Sequence, residues 1–184
     1  MSTTNVRMYP GMLCAGKEYF NNGAEVMVIH EGTVKNFHDL PEHPELAGII
    51  SAERELNEIL TKWYGTNELQ KQKTLARCRF GALNFSADFY EGDVMSDRCE
   101  CPHRGNCSGE NIICKPAKIN GAEVTEEEIA ILREVAGNDK NTTIADNLGY
   151  CLGTFKVKLT GIYKKCGLVT KQQSALALFV EGLL

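Results

Sequence analysis

Four cysteines stand close together near the middle of the chain, at Cys99, Cys101, Cys107 and Cys114. They are half of the eight cysteines in a sequence of 184 residues. In a cytoplasmic protein such a cluster indicates metal binding rather than disulfide bonds. Thiolates are soft ligands, and four of them suit a tetrahedral zinc ion or an iron–sulfur cluster. We therefore predict a structural metal site, with zinc as the first choice and an iron–sulfur cluster as the alternative.

The spacing of these cysteines leaves another interpretation open. The array is Cys-x-Cys-x5-Cys-x6-Cys, which is not the paired Cys-x2-Cys arrangement of many zinc sites. Pro102, Gly105, Gly109 and Pro116 favour the tight turns that a short loop needs to surround one ion. A loop without metal is the other interpretation, and His103 could replace one thiolate.

A second stretch with recognisable chemistry runs from residue 151 to residue 166. Its apolar side chains recur at steps of three or four and share one face of a predicted helix. They are Leu152, Phe155, Leu159, Ile162 and Cys166. The other side holds lysines and no carboxylate, at Lys156, Lys158, Lys164 and Lys165. Such a helix suits the major groove of DNA, which admits one helix and is lined with phosphates, although a solvated lysine face is the alternative.

Three further helices are predicted around the cationic one. Residues 126–136 show helical spacing, with Thr125 and Glu128 as a capping box. A short helix follows at about 142–148, and a last one at 171–180. Four short helices with tight connections, the third of them cationic, describe a helix-turn-helix domain.

The run from Val124 to Lys171 resembles the LuxR-type (GerE) helix-turn-helix domain. The family's motifs are an opening Leu-Thr followed by Glu, Asn-x-x-Ile-Ala-x-x-Leu, Thr-Val-Lys and Ile-Tyr-x-Lys-x-Gly. The similar residues here are, in chain order, Val124, Thr125 and Glu128; Asn141, Ile144, Ala145 and Leu148; Thr154, Phe155 and Lys156; and Ile162, Tyr163, Lys165 and Gly167.

The resemblance implies roles for individual residues. Lys156, Val157 and Thr160 occupy positions that read base edges, while Lys164, Lys165 and Asn141 are placed to meet phosphates. Thr154, at the start of the same helix, is also expected to contact DNA. The last helix commonly forms the dimer contact in this family, so we expect a homodimer on double-stranded DNA. Cys151 and the helical glycines Gly153 and Gly161 depart from the family pattern.

The first half is less informative. A short strand is predicted from Glu25 to His30, one long helix from Glu45 to about Tyr64, and another from Asn67 to about Arg79. A phospho-acceptor receiver would need several alternating strands and helices, which we do not find. We also find no Gly-rich phosphate loop and no nucleophile elbow, so we expect no enzyme activity.

Composition and charge agree with a cytoplasmic DNA-binding protein. The apolar content is 43%, and no apolar run approaches the ~20 residues that cross a membrane. The first sixteen residues lack a signal-peptide layout. The net charge is −4, yet the segment from Tyr150 to Lys171 carries five lysines and no acid, which leaves −9 for the remainder. An acidic body would weaken indiscriminate DNA binding.

These observations predict a mainly α chain with minor β. We expect an α-rich N-terminal region (1–90), a Cys-rich metal-binding segment (91–118) and a four-helix LuxR-type domain (121–184). The predicted function is sequence-specific transcriptional regulation through a recognition helix at about 152–166. The alternative is a metal- or redox-sensing regulator whose cysteine cluster controls DNA binding. A protein-interaction module that no longer reads DNA also remains open.

Overall fold

The computed structural model describes residues 8–184, which form two compact units. The first unit runs to Lys115 and the second extends from Pro116 to Leu184. The described chain is α/β, with seven α-helices (44% helical) and three small antiparallel sheets (15% strand). The prediction of a mainly α chain is therefore wrong. The segment used to argue against a signal peptide lies partly outside the described residues.

The first sheet has three antiparallel strands in sequence order. They are β1 (Glu18–Asn22), β2 (Glu25–His30) and β3 (Thr33–Asn36). The strand predicted from Glu25 to His30 is confirmed. It connects to β3 through Glu31 and Gly32, whose φ angles of +50° and +74° are those a tight hairpin requires. A short 3-10 helix, Phe37–Asp39, follows the sheet.

The long helix predicted for the first half is two helices in the structure. α1 (Pro44–Ala52) and α2 (Arg54–Tyr64) are separated by Glu53, whose backbone is extended with φ −97° and ψ 99°. In the sequence, Glu53 is the charged interruption of an otherwise apolar stripe. The prediction of one continuous helix is wrong because Glu53 makes a tertiary contact that overrides local helical preference.

That contact is with Arg79, the last residue of α3 (Glu68–Arg79). Both Glu53 carboxylate oxygens accept hydrogen bonds from the Arg79 guanidinium. Arg79 is only 3% exposed, and it also donates to the backbone carbonyls of Ile112 and Ile113 at 2.6 and 2.7 Å. A buried guanidinium is tolerated because its donors are satisfied. Arg79 thus joins the α1–α2 junction to the end of the Cys-rich loop.

The helices and the sheet enclose one apolar core in the first unit. Its buried members are Tyr19, Val26, Val28, Phe37, Leu46, Ile50, Leu56, Leu60, Leu75, Ala76, Phe80, Phe89 and Ile113. α3 begins at Glu68, one residue after the predicted start, because Asn67 is its N-cap and accepts the Gln70 N–H at 3.1 Å. β4 (Phe89–Tyr90) and β5 (Asp93–Val94) form a second small sheet. Residues 95–115, which carry the clustered cysteines, contain no helix or strand.

The second unit opens with a β-hairpin and continues with four helices. The elements are β6 (Ala117–Ile119), β7 (Ala122–Val124), α4 (Glu126–Ala136), α5 (Asn141–Asn147), α6 (Leu152–Cys166) and α7 (Lys171–Val180). The predicted capping box at the start of α4 is confirmed, with Thr125 and Glu128 each accepting the other's N–H. The predicted helix positions agree within one residue.

The expectation of a mainly α, four-helix C-terminal domain is nevertheless wrong, because the second unit also contains this β-hairpin. Ala117, Ile119 and Val124 are buried in the same core as the helices, so the strands are part of the unit. Strands of two or three residues are too short to show an alternating pattern. A signal was present, however, because Asn120-Gly121 is the dipeptide that hairpin turns prefer, and both residues have positive φ, +49° and +80°.

We expect Arg79→Lys to destabilise the first unit by about 2–3 kcal/mol, because the three N–H donors of lysine share one nitrogen and cannot replace the four hydrogen bonds that Arg79 makes from three nitrogens. Trp63, the single tryptophan, lies in α2 and reports unfolding of this unit in urea by its fluorescence. The matched control is Arg77→Lys on the same helix, where the guanidinium makes exposed bonds to the Gly23 and Ala24 carbonyls. Equal losses in the two variants would contradict a special role for Arg79.

Candidate functional site

The turn between α5 and α6 determines where the cationic helix begins. Gly149 has φ +73°, a conformation that glycine adopts without strain. The Tyr150 N–H then donates to the Ala145 carbonyl at 2.8 Å. Cys151 is the N-cap of α6 but its side chain makes no capping hydrogen bond, and its Sγ lies 3.1 Å from Thr154 Oγ1. The start of α6 is therefore defined by the turn rather than by a side-chain cap.

One face of α6 is part of the core of the second unit. Phe155, Leu159, Ile162 and Cys166 are buried, as the helical spacing predicted, and Leu152 is partly buried against them. Gly167 ends the helix with φ +64°, the usual left-handed C-terminal conformation. Because this face is buried, the orientation of the opposite face is fixed.

The opposite face of α6 presents an unusual combination of side chains to solvent. Lys156, Val157, Thr160 and Lys164 are all exposed. Val157 is 74% exposed, although a valine on a purely solvated helix face gains nothing from that position. Thr160 is exposed as well, although its hydroxyl donates to the Lys156 carbonyl within the helix at 2.8 Å. The face therefore offers both cationic and small apolar groups.

The other two lysines of α6 have partners on α4. Lys165 Nζ lies 2.7 Å from a Glu128 carboxylate oxygen, and Lys158 Nζ lies 2.9 Å from Glu127. The Tyr150 hydroxyl and then Lys158 lower the pKa of Glu127 by hydrogen bonding. Among residues 8–184, Lys156 and Lys164 have no ion-pair partner. The uncompensated positive charge of α6 is thus smaller than its four lysines suggest.

The remaining predicted DNA-binding residues lie at helix starts. Asn141 is the first residue of α5 and is half-buried, and its Oδ1 atom has no hydrogen-bond partner within the described chain. Thr154 is exposed in the first turn of α6, beside Cys151. Together with Lys156, Val157, Thr160 and Lys164, both residues belong to the α5–turn–α6 segment.

The predicted metal ligands differ in their burial. Cys99 is buried, and its Sγ accepts the Gly81 N–H at 3.1 Å. Cys101, Cys107 and Cys114 are close enough to Cys78 on α3 for their charges to raise the pKa of its thiol. The spacing of the cluster in the sequence did not reveal Cys78. All eight cysteines are free thiols.

Three carboxylates form a buried cluster that sequence reasoning also missed. One oxygen each from Glu18, Asp88 and Asp97 lies within 4.8 Å of the other two, and the residues are 0, 0 and 5% exposed. The Tyr19 N–H donates to Asp88 at 2.6 Å and the Asn84 N–H donates to Glu18 at 3.0 Å. Glu18 and Asp88 are separated by 70 positions, so no local pattern connects them.

Burial governs the protonation of this cluster. It raises the pKa of Glu18 to about 9, and the Asp97 carboxylate adds to the increase. Burial, followed by Asp97 and Glu18, raises the pKa of Asp88 well above its usual value. Carboxylates this close share protons at neutral pH, because the charged forms repel one another. The same oxygens are of a type that could hold a divalent cation.

Comparison of the chain with protein families, with curated proteins and with solved structures finds no match. No helix within the described residues has the length and apolar character needed to cross a membrane.

We expect Glu18→Gln to reduce the pH dependence of stability in the first unit. A carboxyl group whose pKa is raised by folding contributes stability that is complete below the unfolded value near 4.5 and is lost as pH rises toward 9. For each proton that the protein takes up on folding, the free energy of unfolding falls by up to about 1.4 kcal/mol for each unit by which the pH rises. The glutamine variant removes one group that takes up such a proton. Urea midpoints from Trp63 fluorescence at several pH values between 5 and 8 measure the effect.

The matched control is Glu55→Gln, which changes an exposed glutamate on α2. It is expected to leave the pH dependence of the midpoint as in the unmodified protein. Parallel pH curves for Glu18→Gln and the unmodified protein would contradict the proton-sharing cluster.

Proposed function

We propose that this protein is a sequence-specific DNA-binding transcriptional regulator that inserts α6 into the major groove. The observation that carries the proposal is the exposed face of α6, where Lys156, Val157 and Thr160 are adjacent and directed away from the core. The opposite face is buried by Phe155 and its neighbours. A helix held in this way is available for insertion into a groove about 12 Å wide.

The chemistry of the exposed face matches base edges. A lysine ammonium donates to the acceptors of guanine, and the methyl groups of valine and threonine make apolar contact with thymine. An exposed valine between cationic residues makes no stabilising contact in solvent, but it makes an apolar contact when the helix lies in the major groove. The LuxR-type resemblance of residues 124–171 supports the same assignment of Lys156, Val157 and Thr160.

Phosphate contacts come from the margins of the same segment. Lys164 is uncompensated, while Asn141 and Thr154 lie at the starts of α5 and α6, where helix N-termini favour phosphate groups. Lys165 must first leave Glu128, so its contribution is smaller than that of Lys164. The second unit carries eight basic and eight acidic side chains, so its net charge is zero. Non-specific attraction is therefore weak, and base contacts supply much of the affinity.

The exposed residues of α7 support a homodimer on DNA. Leu176 and Val180 are four residues apart on α7 and are exposed, Leu176 at 63%, and Leu184, beyond the end of the helix, is 67% exposed. This apolar stripe is uncharged, so a second copy of the same stripe is a self-complementary partner in a two-fold dimer. The proposal gives the protein a cytoplasmic location and no catalytic role.

The test of DNA binding starts from a library of random DNA duplexes, from which the full chain selects its preferred sequence. In anisotropy measurements on that sequence, Lys156→Ala and Val157→Ala are expected to relax base preference, at a cost of about 1–3 kcal/mol in affinity. Lys164→Ala is expected to weaken all sequences alike and to reduce the salt slope by about one. Lys62→Ala, an exposed lysine on α2, is the control.

Two results would overturn the proposal. One is the failure of the full chain to enrich any sequence from the library. The other is enrichment of a sequence whose affinity and salt dependence are the same for all three α6 variants as for Lys62→Ala.

The dimer makes a separate prediction. Leu176→Glu places a charge in the α7 stripe, so we expect it to shift the protein toward monomer by at least tenfold in dissociation constant, about 1.4 kcal/mol. Light scattering after size-exclusion chromatography, over a range of concentrations, measures the mass. Ala130→Glu adds the same charge at an exposed site on α4 and is expected to remain dimeric. A monomeric unmodified protein, both free and on DNA, would refute the dimer.

A further inference from the structure

The Cys-rich loop is attached at both of its ends to the last turn of α3. At the start of the loop, the Asp97 N–H donates to the Arg79 carbonyl at 2.7 Å. At its end, the Arg79 guanidinium donates to the carbonyls of Ile112 and Ile113. Cys78 immediately precedes Arg79, and Cys114 immediately follows Ile113. These contacts therefore bring Cys78 and Cys114 together.

Between these attachments the loop consists of consecutive tight turns. The Arg104, Asn106 and Glu110 N–H groups each donate to the carbonyl three residues earlier, at 3.3, 3.0 and 3.1 Å. Gly109 packs so closely that an added Cβ would lie 2.9 Å from the Trp63 ring of α2. The Gly109 N–H donates to Cys107 Sγ at 3.4 Å. The loop is thus folded onto α2 and α3, with Cys101 and Cys107 on successive turns.

Cys101, Cys107 and Cys114 are each close enough to Cys78 to affect the pKa of its thiol. Burial raises the pKa of Cys78 to about 11, followed by the effects of Cys114, Cys101 and Cys107. Cys99 is the most buried of these cysteines, at 6% exposed, and burial, then Asp97 and then Cys78 raise the pKa of its thiol. Cys78 is half-buried, as are Cys107 and Cys114, while Cys101 is exposed. These four thiols are thus partly or fully accessible to solvent, whereas Cys99 is buried.

The spacing of the cysteine sulfur atoms indicates whether they suit a single metal ion or a larger cluster. Zinc–sulfur bonds of about 2.3 Å in a tetrahedral site would place the sulfurs about 3.8 Å apart. Within the described residues, no three cysteine sulfurs lie within 4.8 Å of one another. In a four-iron iron–sulfur cluster each of the four cysteines binds a different iron atom, so the thiolates are more widely spaced. The arrangement fits the larger group better than a single zinc ion.

We propose that Cys78, Cys101, Cys107 and Cys114 ligate a four-iron iron–sulfur cluster in the first unit. Each thiol loses its proton on binding iron, and the cluster joins α3 covalently to the loop. This site differs from the one that the spacing in the sequence predicted, because Cys78 replaces Cys99. It does not depend on DNA binding by the second unit.

The test compares the full chain with two single variants, all purified without oxygen and reconstituted with ferrous iron and sulfide. The unmodified protein is expected to hold about four iron atoms and about four sulfides per chain and to show broad visible absorbance. Cys78→Ser is expected to lose most of the iron and the absorbance. Cys99→Ser, at the buried thiol beside Gly81, is expected to retain both.

Because Cys78→Ser also changes a half-buried site, Trp63 fluorescence and circular dichroism check its folding. If Cys78→Ser fails to fold, the variant Cys101→Ser at an exposed site takes its place in the test, and we expect the same loss of iron. One zinc ion per chain without iron would overturn the cluster, and so would the absence of metal. Retention of the cluster in Cys101→Ser or in folded Cys78→Ser, or its loss in folded Cys99→Ser, would overturn the ligand set.

Discussion

A single buried guanidinium organises the first unit. Arg79 binds the Glu53 carboxylate and the carbonyls of Ile112 and Ile113, so it joins three segments that are far apart in the chain. The cost of removing its charge from water is offset only while all these acceptors remain in place. The interruption between α1 and α2 and the position of the Cys-rich loop both depend on this one residue. The proposed cluster site depends on it in turn, because Cys78 precedes Arg79.

The second unit has a comparable residue in Glu128. Its carboxylate completes the capping box of α4 and also pairs with Lys165 of α6. One side chain therefore both starts one helix and positions another. The same contact changes the chemistry of α6, because it removes one lysine from the exposed cationic face. What remains is a small surface with Lys156, Val157 and Thr160 at its centre. In the proposed complex with DNA, this surface favours selective contacts with bases over non-specific attraction to phosphates.

The two proposed activities rest on different units and on different chemistry. The thiolate site belongs to residues before Pro116, and the DNA-binding face belongs to residues after it. Each unit has its own apolar core. One proposal can therefore fail while the other holds. Regulation of DNA binding by the cluster would require both, together with a coupling between the units.

The sequence alone determined those features that depend on neighbouring residues. Helical spacing, the Thr125–Glu128 capping box and the apolar face of α6 are local patterns, and the helices of the second unit follow from them. The α/β class was missed because β1 and β3 were not recognised beside the predicted β2, and because the other strands have only two or three residues and show no period. The helix break at Glu53, the Glu18–Asp88 contact and the place of Cys78 beside Cys114 were decided only by the tertiary structure. Each joins residues tens of positions apart, whose contact energy outweighs local preference.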